Sequence, residues 1–319
     1  MTAACLIADI GGTNARFALV DEGSLAVRDI RVLAVSAHEH IEQAIRHYLA
    51  EVGQPLEGIK RACLAIACPV EQDCIDMTNS GWCFSRAALA RALALDELRI
   101  INDYTALAYS LPHLAEQDKR KVGGGAARPG FPIALLGPGT GLGVGGLVDG
   151  RPLVTEGGHV DFAPNDEVEL AILRHLWRRY EHVSAERLLS GMGLEHLYQA
   201  LCDYHGETAT AYGAADIGRH ALAGSDERCV ETVARFFAIL GSVAGNLALT
   251  LGALGGVYIT GGIVPRMTEL FAESRFRERF EAKGRFRGYL EAIGTWVVVA
   301  EQPGLLGAAA ALLAEEAGA

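Results

Sequence analysis

Three glycine-rich turns, each directly after a predicted strand, constrain this 319-residue chain more than any other feature. They lie at residues 11–12, 137–143 and 261–262. Glycine has no Cβ, so a ligand can approach the backbone closely, and the amide groups of such turns bind phosphate oxygens. The three turns together predict a protein that holds a phosphate-bearing ligand through its main chain.

The first turn joins two apolar strands, predicted over residues 6–10 and 16–20. Gly11-Gly12 is expected to take positive φ and to close a tight hairpin. Thr13 and Asn14 follow as short polar side chains that face whatever the turn encloses. This stretch therefore predicts a hairpin whose tip is polar and open to a ligand.

Asp9 is the only charged residue of the first predicted strand. It is separated from the glycine turn by one residue. A carboxylate buried there without a partner would be costly. Beside the backbone N–H groups of the turn, it is suited to hold a hydrated cation on a phosphate. An ordinary hairpin with a half-exposed aspartate is the alternative.

The familiar nucleotide-binding motifs do not explain the glycines. The chain has no G-x-x-x-x-G-K-[ST] sequence, and none of its four lysines lies in a glycine-rich turn. Gly141, Gly143 and Gly146 match G-x-G-x-x-G in spacing, but a strand pattern follows them where the dinucleotide fingerprint needs a helix. The dinucleotide interpretation therefore fails.

Composition predicts a cytoplasmic α/β protein. The net charge of −11 argues against a nucleic-acid surface, and no apolar run predicts a membrane span. The seven cysteines form no C-x-x-C pair, and no secretory signal is recognised, so they are expected to be reduced. No zinc motif is recognised, since Cys202 is too isolated for a tetrahedral site, and no helix-turn-helix pattern is seen before Ile7.

The order of predicted elements indicates two α/β domains. Three strands, a helix, a strand and a helix are predicted first. A strand over residues 98–101 and a helix over 104–111 come next, and a glycine- and proline-rich loop follows at residues 117–132. A second strand–turn–strand unit begins at residue 132 and leads to a long apolar helix over residues 228–251, which we expect to be buried. The alanine-rich last helix, residues 305–314, is expected to pack against the first domain.

Asn102 and Asp103 stand at the carboxyl end of a predicted strand. Ligands of open α/β sheets bind at such ends, so an acid there is a candidate for catalysis. The alternative is that Asp103 only caps the helix that follows.

These motifs carry a resemblance. The segments at 9–14, 137–143 and 261–263 resemble the two phosphate motifs and the adenosine motif of the sugar kinase, actin and Hsp70 superfamily. Further motifs, in order along the chain, are similar to those of bacterial glucokinases. They are Ile-Ala-Cys-Pro at 66–69, Met-Thr-Asn at 77–79, Ile-Asn-Asp at 101–103, Glu-Gly-Gly-His-Val-Asp-Phe-Ala-Pro at 156–164 and Ser-Ala-Glu-Arg-Leu-Leu-Ser-Gly at 184–191.

The resemblance implies two actin-like (ribonuclease H-like) α/β domains with a cleft for ATP and sugar between them. Residues 1–110, completed by 301–319, would form the small domain, and residues 111–300 the large one. It also implies a cytoplasmic homodimer that uses ATP and Mg²⁺ to phosphorylate the 6-hydroxyl of D-glucose. Domain closure would exclude water from the reaction.

The resemblance also implies residue roles. Asp103 would be the general base, and Asn102 would hydrogen-bond a neighbouring hydroxyl. The ring hydroxyls would be bound by Glu156, His159 and Glu186, which match sugar hydroxyls as donors and acceptors. Mg²⁺ would bridge the phosphates with Asp9 nearby. The nucleotide would contact Asp9, Gly11, Gly12, Thr13, Asn14, Gly137, Gly139, Thr140, Gly141, Gly261 and Gly262.

Structural alternatives remain open for several of these residues. His159 could be a hydrogen-bonded core histidine, and Glu186 could be an acid that the dipole of a helix first turn favours. The alternative functions are a kinase for another hexose or an N-acetylhexosamine, a chaperone or filament protein on the same core, and a non-catalytic sugar sensor.

Overall fold

The computed structural model describes residues 3–77 and 81–314, which contain thirteen strands and eleven α-helices. The strands are β1 Ala4–Ile10, β2 Asn14–Asp21, β3 Arg28–Ala34, β4 Ile59–Ile66, β5 Cys74–Asp76, β6 Cys83–Ser85, β7 Glu97–Asn102, β8 Lys119–Lys121, β9 Ile133–Pro138, β10 Leu142–Val148, β11 Arg151–Leu153, β12 Val257–Ile259 and β13 Thr295–Val298. The helices are α1 Ile41–Glu51, α2 Arg86–Ala92, α3 Asp103–Ser110, α4 Glu167–Trp177, α5 Gly191–His205, α6 Ala214–Ala223, α7 Glu227–Leu251, α8 Thr268–Glu273, α9 Phe276–Glu281, α10 Arg287–Glu291 and α11 Pro303–Leu313. Asn79 of the Met-Thr-Asn motif lies outside the described residues.

The chain divides into two compact units. Residues 1–115 and 300–319 form the first unit, and residues 116–299 form the second. A compact unit is defined by its internal packing, whereas a domain is a body that can fold on its own. The predicted domain boundaries at residues 110 and 300 therefore stay a prediction.

The first unit is built on a five-stranded sheet in the order β3-β2-β1-β4-β7. β1 pairs antiparallel with β2 and parallel with β4, and β4 pairs parallel with β7. β1 and β4 are apolar along almost their whole length because both faces of the sheet centre are covered. The parallel strands bring the carboxyl ends of β1, β4 and β7 to one edge, which is where Asp9 and Asn102 lie.

The two faces of this sheet bury different side chains. One face, with Leu6 and Ile10, packs into a core with α1 and α2. The other face, with Cys5 and Ile7, packs against α11. The expected return of the last helix to the first unit is confirmed.

α11 lies so close to α3 that only glycine fits at the crossing. A Cβ on Gly307 would sit 1.7 Å from the carbonyl oxygen of Ala106. The four alanines that follow Gly307 in α11, residues 308–311, are all buried. The alanine-rich composition of the helix therefore reflects its close packing.

The second unit is built on a six-stranded sheet in the order β11-β10-β9-β12-β13-β8. β9 pairs antiparallel with β10 and parallel with β12. The prediction of an uninterrupted loop over residues 117–132 is wrong, because β8 pairs antiparallel with β13 at the sheet edge. Its sequence, Lys-Arg-Lys, carries no hydrophobic signal, and such charged short strands are typical of protected edges.

The long helix α7 is largely buried within the second unit, and its predicted burial is confirmed. By length and composition it could cross a membrane, but 67% of its most apolar window is buried inside the protein, as in a core helix. Its small residues allow α9 to cross closely. A Cβ on Gly241 would lie 2.1 Å from the carbonyl oxygen of Phe276, and one on Gly245 would lie 2.5 Å from that of Phe280.

A buried ion cluster links α4, α7 and α9. The Glu169 side chain is fully buried and lies 2.8 Å from the guanidinium of Arg279 and 3.5 Å from that of Arg235. Asp166, the predicted cap of α4, accepts the Glu169 N–H at 2.9 Å and also pairs with Arg235. The charges are therefore matched within the core, which makes their burial tolerable.

Candidate active site

The first glycine turn connects β1 to β2 through three residues, 11–13. The Gly11 N–H donates to the Asn14 carbonyl at 3.0 Å, and the Val35 N–H donates to the Thr13 carbonyl at 2.9 Å. The expectation of positive φ at Gly11-Gly12 is wrong, since neither is among the described glycines with positive φ. A three-residue loop does not need the left-handed pair that a two-residue hairpin requires.

Asp9 is partly buried at the carboxyl end of β1, with its side chain 27% exposed. It pairs in register with Arg16, whose guanidinium lies 3.8 Å from the carboxylate. Burial raises the pKa of Asp9, and the Arg16 charge only partly offsets this. A Cβ on Gly304 would lie 2.8 Å from the Asp9 carboxyl carbon, so the start of α11 closes over this carboxylate.

Asn102 is the N-cap of α3. This is the capping role that the sequence offered as an alternative for Asp103. Asn102 Oδ1 accepts the Tyr104 N–H at 2.9 Å, and its Nδ2 donates to the Cys68 carbonyl at 3.4 Å. Asp103 is the first residue of the helix, and its Oδ1 shares the same Tyr104 N–H at 2.9 Å. The cap thus holds Asp103 at the helix N-terminus, where the partial positive charge favours an anion.

The environment of Asp103 includes the negative charge of Asp9. Burial raises the pKa of the Asp103 carboxyl, and the negative charge of Asp9 raises it further, while the Tyr104 N–H lowers it in part. Two carboxylates in this environment carry a charge that the first unit only partly neutralises. A divalent cation is the kind of ligand that such a pair accommodates.

The second glycine turn, between β9 and β10, is tied to the segment that carries Glu186. The Glu186 carboxylate accepts the Leu142 N–H at 2.9 Å, and a Cβ on Gly141 would lie 2.5 Å from its Oε2. On the other side of this segment, the Gly191 N–H donates to the Gly139 carbonyl at 2.8 Å. A side chain at position 141 would therefore have to displace the Glu186 carboxylate.

The third glycine turn lies against the second. Gly261 has φ +80°, and a Cβ there would lie 2.3 Å from the Pro138 carbonyl oxygen. The same carbonyl accepts the Ile263 N–H at 3.3 Å, while Gly262 faces open space. Gly137 is part of β9, immediately before this contact. The structure therefore brings the predicted second phosphate turn and the predicted adenosine turn together.

Glu156 and His159 flank a short 3₁₀ turn over Gly157–His159. Glu156 Oε2 lies 3.9 Å from His159 Nε2, and the two side chains are 90% and 59% exposed. Gly158 lets this turn press on β10, since a Cβ would lie 2.1 Å from the Leu142 carbonyl oxygen. His159 is therefore not a core histidine.

His159 and Glu186 line one pocket of about 390 Å³ in the second unit. Its other walls include Arg187 and Tyr180, and the Arg187 guanidinium stacks on the Tyr180 ring at 4.1 Å from the centroid. Glu186 lies in a single 3₁₀ turn, Ala185–Arg187, too short to develop a helix dipole. Exposed carboxylate and imidazole groups around a pocket of this size suit a polyhydroxy ligand.

A larger pocket of about 740 Å³ lies beside the second and third glycine turns, also within the second unit. Gly139, Thr140 and Gly262 line one side of it. Half-exposed Met192 and Leu222 supply apolar surface on α5 and α6. Backbone amides at one end and apolar side chains at the other suit a ligand with phosphates and a flat ring.

Comparison with known proteins agrees with this geometry. A family model described as Glucokinase matches residues 6–315. A glucokinase from Hahella chejuensis is 48% identical over 98% of this chain and 97% of its own length. The chain belongs to the glucokinase family. It is an ATP-dependent hexose kinase that transfers the γ-phosphoryl group of ATP to glucose, which confirms the predicted family and activity.

Solved structures extend the comparison to the fold. A glucokinase from an Antarctic psychrotroph is 38% identical, with a TM-score of 0.92 over 98% of this chain and 99% of its own. A ROK family glucokinase from Streptomyces griseus, solved with glucose and AMPPNP, is 17% identical with a TM-score of 0.63 over 96% of this chain and 98% of its own. The predicted fold class of two actin-like α/β domains is confirmed.

Sequence reasoning missed part of the larger pocket beside the second and third glycine turns. Its walls on α5 and α6, and the short turn after the third glycine motif, were not singled out. These residues are Gly191, Met192, Leu194, Glu195, Ala214, Ala215, Gly218, Arg219, Leu222, Arg266 and Met267. The available signal was a set of small residues, 213–215 and 218, but such a set is equally typical of close helix packing.

Proposed function

We propose that Asp103 is the general base of glucose phosphorylation in this glucokinase. It would accept the proton of the sugar 6-hydroxyl as that oxygen takes the γ-phosphoryl group. The observation that carries this role is the raised pKa of a partly buried carboxylate held at the end of β7. A base whose pKa moves toward neutrality transfers protons more effectively at cellular pH than an ordinary aspartate.

We propose that Glu156, His159 and Glu186 bind the ring hydroxyls of D-glucose. The shared pocket of His159 and Glu186, and the proximity of Glu156 to His159, support this assignment. Each sugar hydroxyl both donates and accepts hydrogen bonds, so carboxylate and imidazole groups can pair with it. A sugar that lacks the matching hydroxyl would leave these groups unpaired and would bind less well. Asn102 is proposed to reach a neighbouring hydroxyl while its oxygen caps α3.

We propose that ATP is held mainly through main-chain groups. The turn formed by Gly11, Gly12, Thr13 and Asn14 and the turn from Gly137 to Gly141 would contact the phosphates. The adenosine would occupy the 740 Å³ pocket beside Thr140, Gly261 and Gly262. Phosphoryl transfer passes through a loose transition state, so the protein contributes positioning and charge stabilisation rather than covalent chemistry.

Asp9 is the proposed protein partner of Mg²⁺. The raised pKa values of Asp9 and Asp103 fit a cation, which would relieve the unfavourable negative charge. Mg²⁺ binds proteins through one or two carboxylates, water and substrate phosphates, and it neutralises charge on the transferred group. Asp9 would orient the ion through its hydration shell.

Asp103→Asn tests the proposed base. The substitution keeps the shape and can still accept the Tyr104 N–H, but it removes the proton acceptor. We expect kcat in a coupled assay with Mg-ATP and glucose to fall by about 10²- to 10⁴-fold. Glucose affinity, measured by calorimetry, is expected to stay within about threefold of wild type.

Asp96→Asn is the matched control, since this exposed aspartate of the same unit precedes β7 and undergoes the same chemical change. It is expected to leave kcat unchanged. If Asp103→Asn kept kcat within about tenfold of wild type, corresponding to under ~1.4 kcal/mol of barrier, another group would have to be the base.

The cellular setting is proposed from the family. As a glucose kinase of bacterial type, the protein would catalyse the first step of glycolysis, in the cytoplasm and as a homodimer. All seven cysteines are free thiols, which suits a reducing compartment.

A further inference from the structure

Two exposed thiols face each other on the small sheet formed by β5 and β6. The register pairs Cys74 with Ser85 and Asp76 with Cys83, so both cysteines lie on one face at diagonal positions. Their Sγ atoms are 3.7 Å apart, within the range of an S–H···S contact. Ile75, between them in register, points to the other face and is buried, so the thiols are on the solvent side.

The other five cysteines, all within the described residues, are in a different environment. Burial is the main cause that raises the pKa of each of these thiols, which favours the unreactive protonated form. For Cys63 and Cys229 the pKa rises to about 12. The full set is Cys5, Cys63, Cys68, Cys202 and Cys229. The contact with Cys74 also raises the pKa of the Cys83 thiol, so exposure is what distinguishes the pair. Because Cys74 and Cys83 are the two exposed cysteines, an oxidant in solution meets them first.

The base of the hairpin is held in place next to the thiols. Asp73 accepts the Ser85 hydroxyl at 2.6 Å and the Ala87 N–H at 2.9 Å, and its carbonyl accepts the Arg86 N–H at 2.8 Å. Above the thiols, the Met77 N–H donates to the Trp82 carbonyl at 2.9 Å. Both strands are thus fixed at each end of the pair, and the proximity of the two sulfurs is built into the fold.

We propose that Cys74 and Cys83 are a reversible dithiol–disulfide pair that hydroperoxides oxidise. A disulfide needs sulfurs about 2.05 Å apart, so they must approach by roughly 1.6 Å from their separation of 3.7 Å. Rotation of the two exposed side chains can provide much of this approach, because solvent lies around them.

The oxidation is balanced by the peroxide. One thiolate attacks an oxygen of the hydroperoxide, the O–O bond breaks, and a sulfenic acid forms as water or an alcohol leaves. The second thiol attacks that sulfur, its S–O bond breaks, and water leaves as the S–S bond forms. The two sulfurs lose two electrons in total, and the peroxide gains them. A cellular dithiol reverses the reaction by thiol–disulfide exchange.

The pair changes what oxidation does to the protein. An exposed single thiol, once converted to sulfenic acid, either joins another protein molecule or is oxidised irreversibly to sulfinic acid. A neighbouring thiol captures the sulfenic acid within the same molecule, because its effective concentration far exceeds that of any thiol in solution. The disulfide therefore protects both cysteines in a recoverable form.

The experiment is peptide mapping after treatment of the full-length protein with one equivalent of hydrogen peroxide. An endoproteinase that cleaves before aspartate separates Cys74, in the peptide 73–75, from Cys83, in the peptide 76–95. We expect the two peptides to migrate as one species that loses two hydrogens and separates on reduction with dithiothreitol. The two thiols that react with Ellman's reagent in the native protein are expected to disappear together.

Single variants make the test decisive. Cys74→Ser and Cys83→Ser should each give sulfinic acid or cross-linked dimers under the same conditions. Cys202→Ser, at a buried position, should behave as wild type. Separate peptides after oxidation, a bridge to Cys68, or cross-linked dimers from the wild-type protein at the level of the single variants would each overturn the proposal.

Discussion

The carboxylates of Asp9 and Asp103 illustrate how function sets the environment of single residues. Both are partly buried near each other, and burial raises both pKa values. Arg16 offers Asp9 an opposite charge, at 3.8 Å. This arrangement is unfavourable for the protein alone, and the proposed cation would relieve it. Such local costs are typical of active sites.

Asp9→Asn is therefore expected to stabilise the protein in the absence of nucleotide and Mg²⁺. The carboxyl pKa is higher in the folded protein than its unfolded value of about 3.9, so the ionised form lowers stability at pH values above the folded pKa. This loss becomes smaller as the pH falls toward the unfolded pKa. Each unit of pKa difference corresponds to about 1.4 kcal/mol. Urea unfolding at pH 7 and at pH 4.5 measures the gain, which should be larger at pH 7.

Asp96→Asn again serves as the control, with no expected change at either pH because its side chain is exposed. A loss of stability in Asp9→Asn at pH 7 would mean that the Arg16 ion pair outweighs the cost of burial. A gain equal at both pH values would show that the effect does not arise from titration.

At the scale of elements, the second glycine turn and the Glu186 segment form one hydrogen-bonded assembly. Glu186 accepts the Leu142 N–H, and Gly191 donates to Gly139 on the opposite side. The side chain proposed to bind sugar is thus oriented by the loop proposed to bind phosphate. A change in either segment is expected to disturb both.

Gly141→Ala tests this dependence. The new methyl group would lie 2.5 Å from Glu186 Oε2 and would displace the carboxylate from the Leu142 N–H. Loss of a hydrogen bond to a charged group costs about 1.5–3 kcal/mol. We expect kcat/KM for glucose to fall by about 10- to 100-fold with little change in melting temperature. Gly124→Ala, at an open loop position, is the control and should be neutral. Unchanged kcat/KM in Gly141→Ala would contradict the orienting role.

Gly307→Ala tests the crossing of α11 and α3. Its Cβ would lie 1.7 Å from the Ala106 carbonyl oxygen, so the helices must separate. We expect a loss of at least about 2 kcal/mol in the free energy of unfolding, measured with urea. Gly288→Ala, in α10 with open space around it, should be neutral or stabilise by up to about 1 kcal/mol. Equal effects of the two substitutions would show that the crossing is not tight.

Most elements could be predicted because their signals are local. The apolar runs of β1 and β4, the caps Ser85 and Asp166, and the period of α7 all depend on neighbouring residues. β8 could not be predicted, because a Lys-Arg-Lys strand exists only through pairing with β13, more than 170 residues away. The backbone angles of Gly11-Gly12 could not be predicted either. They depend on the length of the loop, and that length depends on where β1 ends and β2 begins.

The candidate site was predictable where chemistry and position coincide in the sequence. Asp103 follows a strand end, and Glu156 and His159 stand beside glycines. The capping role of Asn102 and the attachment of Glu186 to Leu142 were not predictable. Each depends on which polar side chain lies within hydrogen-bond distance of a given N–H, and the three-dimensional structure determines this.

For the whole molecule, the proposed homodimer can be measured directly. Static light scattering behind gel filtration should give about twice the chain mass of 33.9 kDa. Each chain carries a net charge of −11, so repulsion between copies should be screened by salt. The dimer fraction is therefore expected to be equal or higher in 0.5 M NaCl than at low ionic strength. A single-chain mass at all concentrations tested would contradict the proposal.

The position of α11 has a consequence for how the protein is made. During synthesis, the ribosome releases β1 to β7 long before α11, since all of residues 116–299 must be translated in between. Until then the sheet face that carries Cys5, Ile7 and Cys63 lacks the cover that α11 provides. The second unit is continuous in sequence and can fold first. The first unit, whose strands are synthesised first, is therefore completed last. The nascent chain exposes an apolar surface to chaperones throughout that interval.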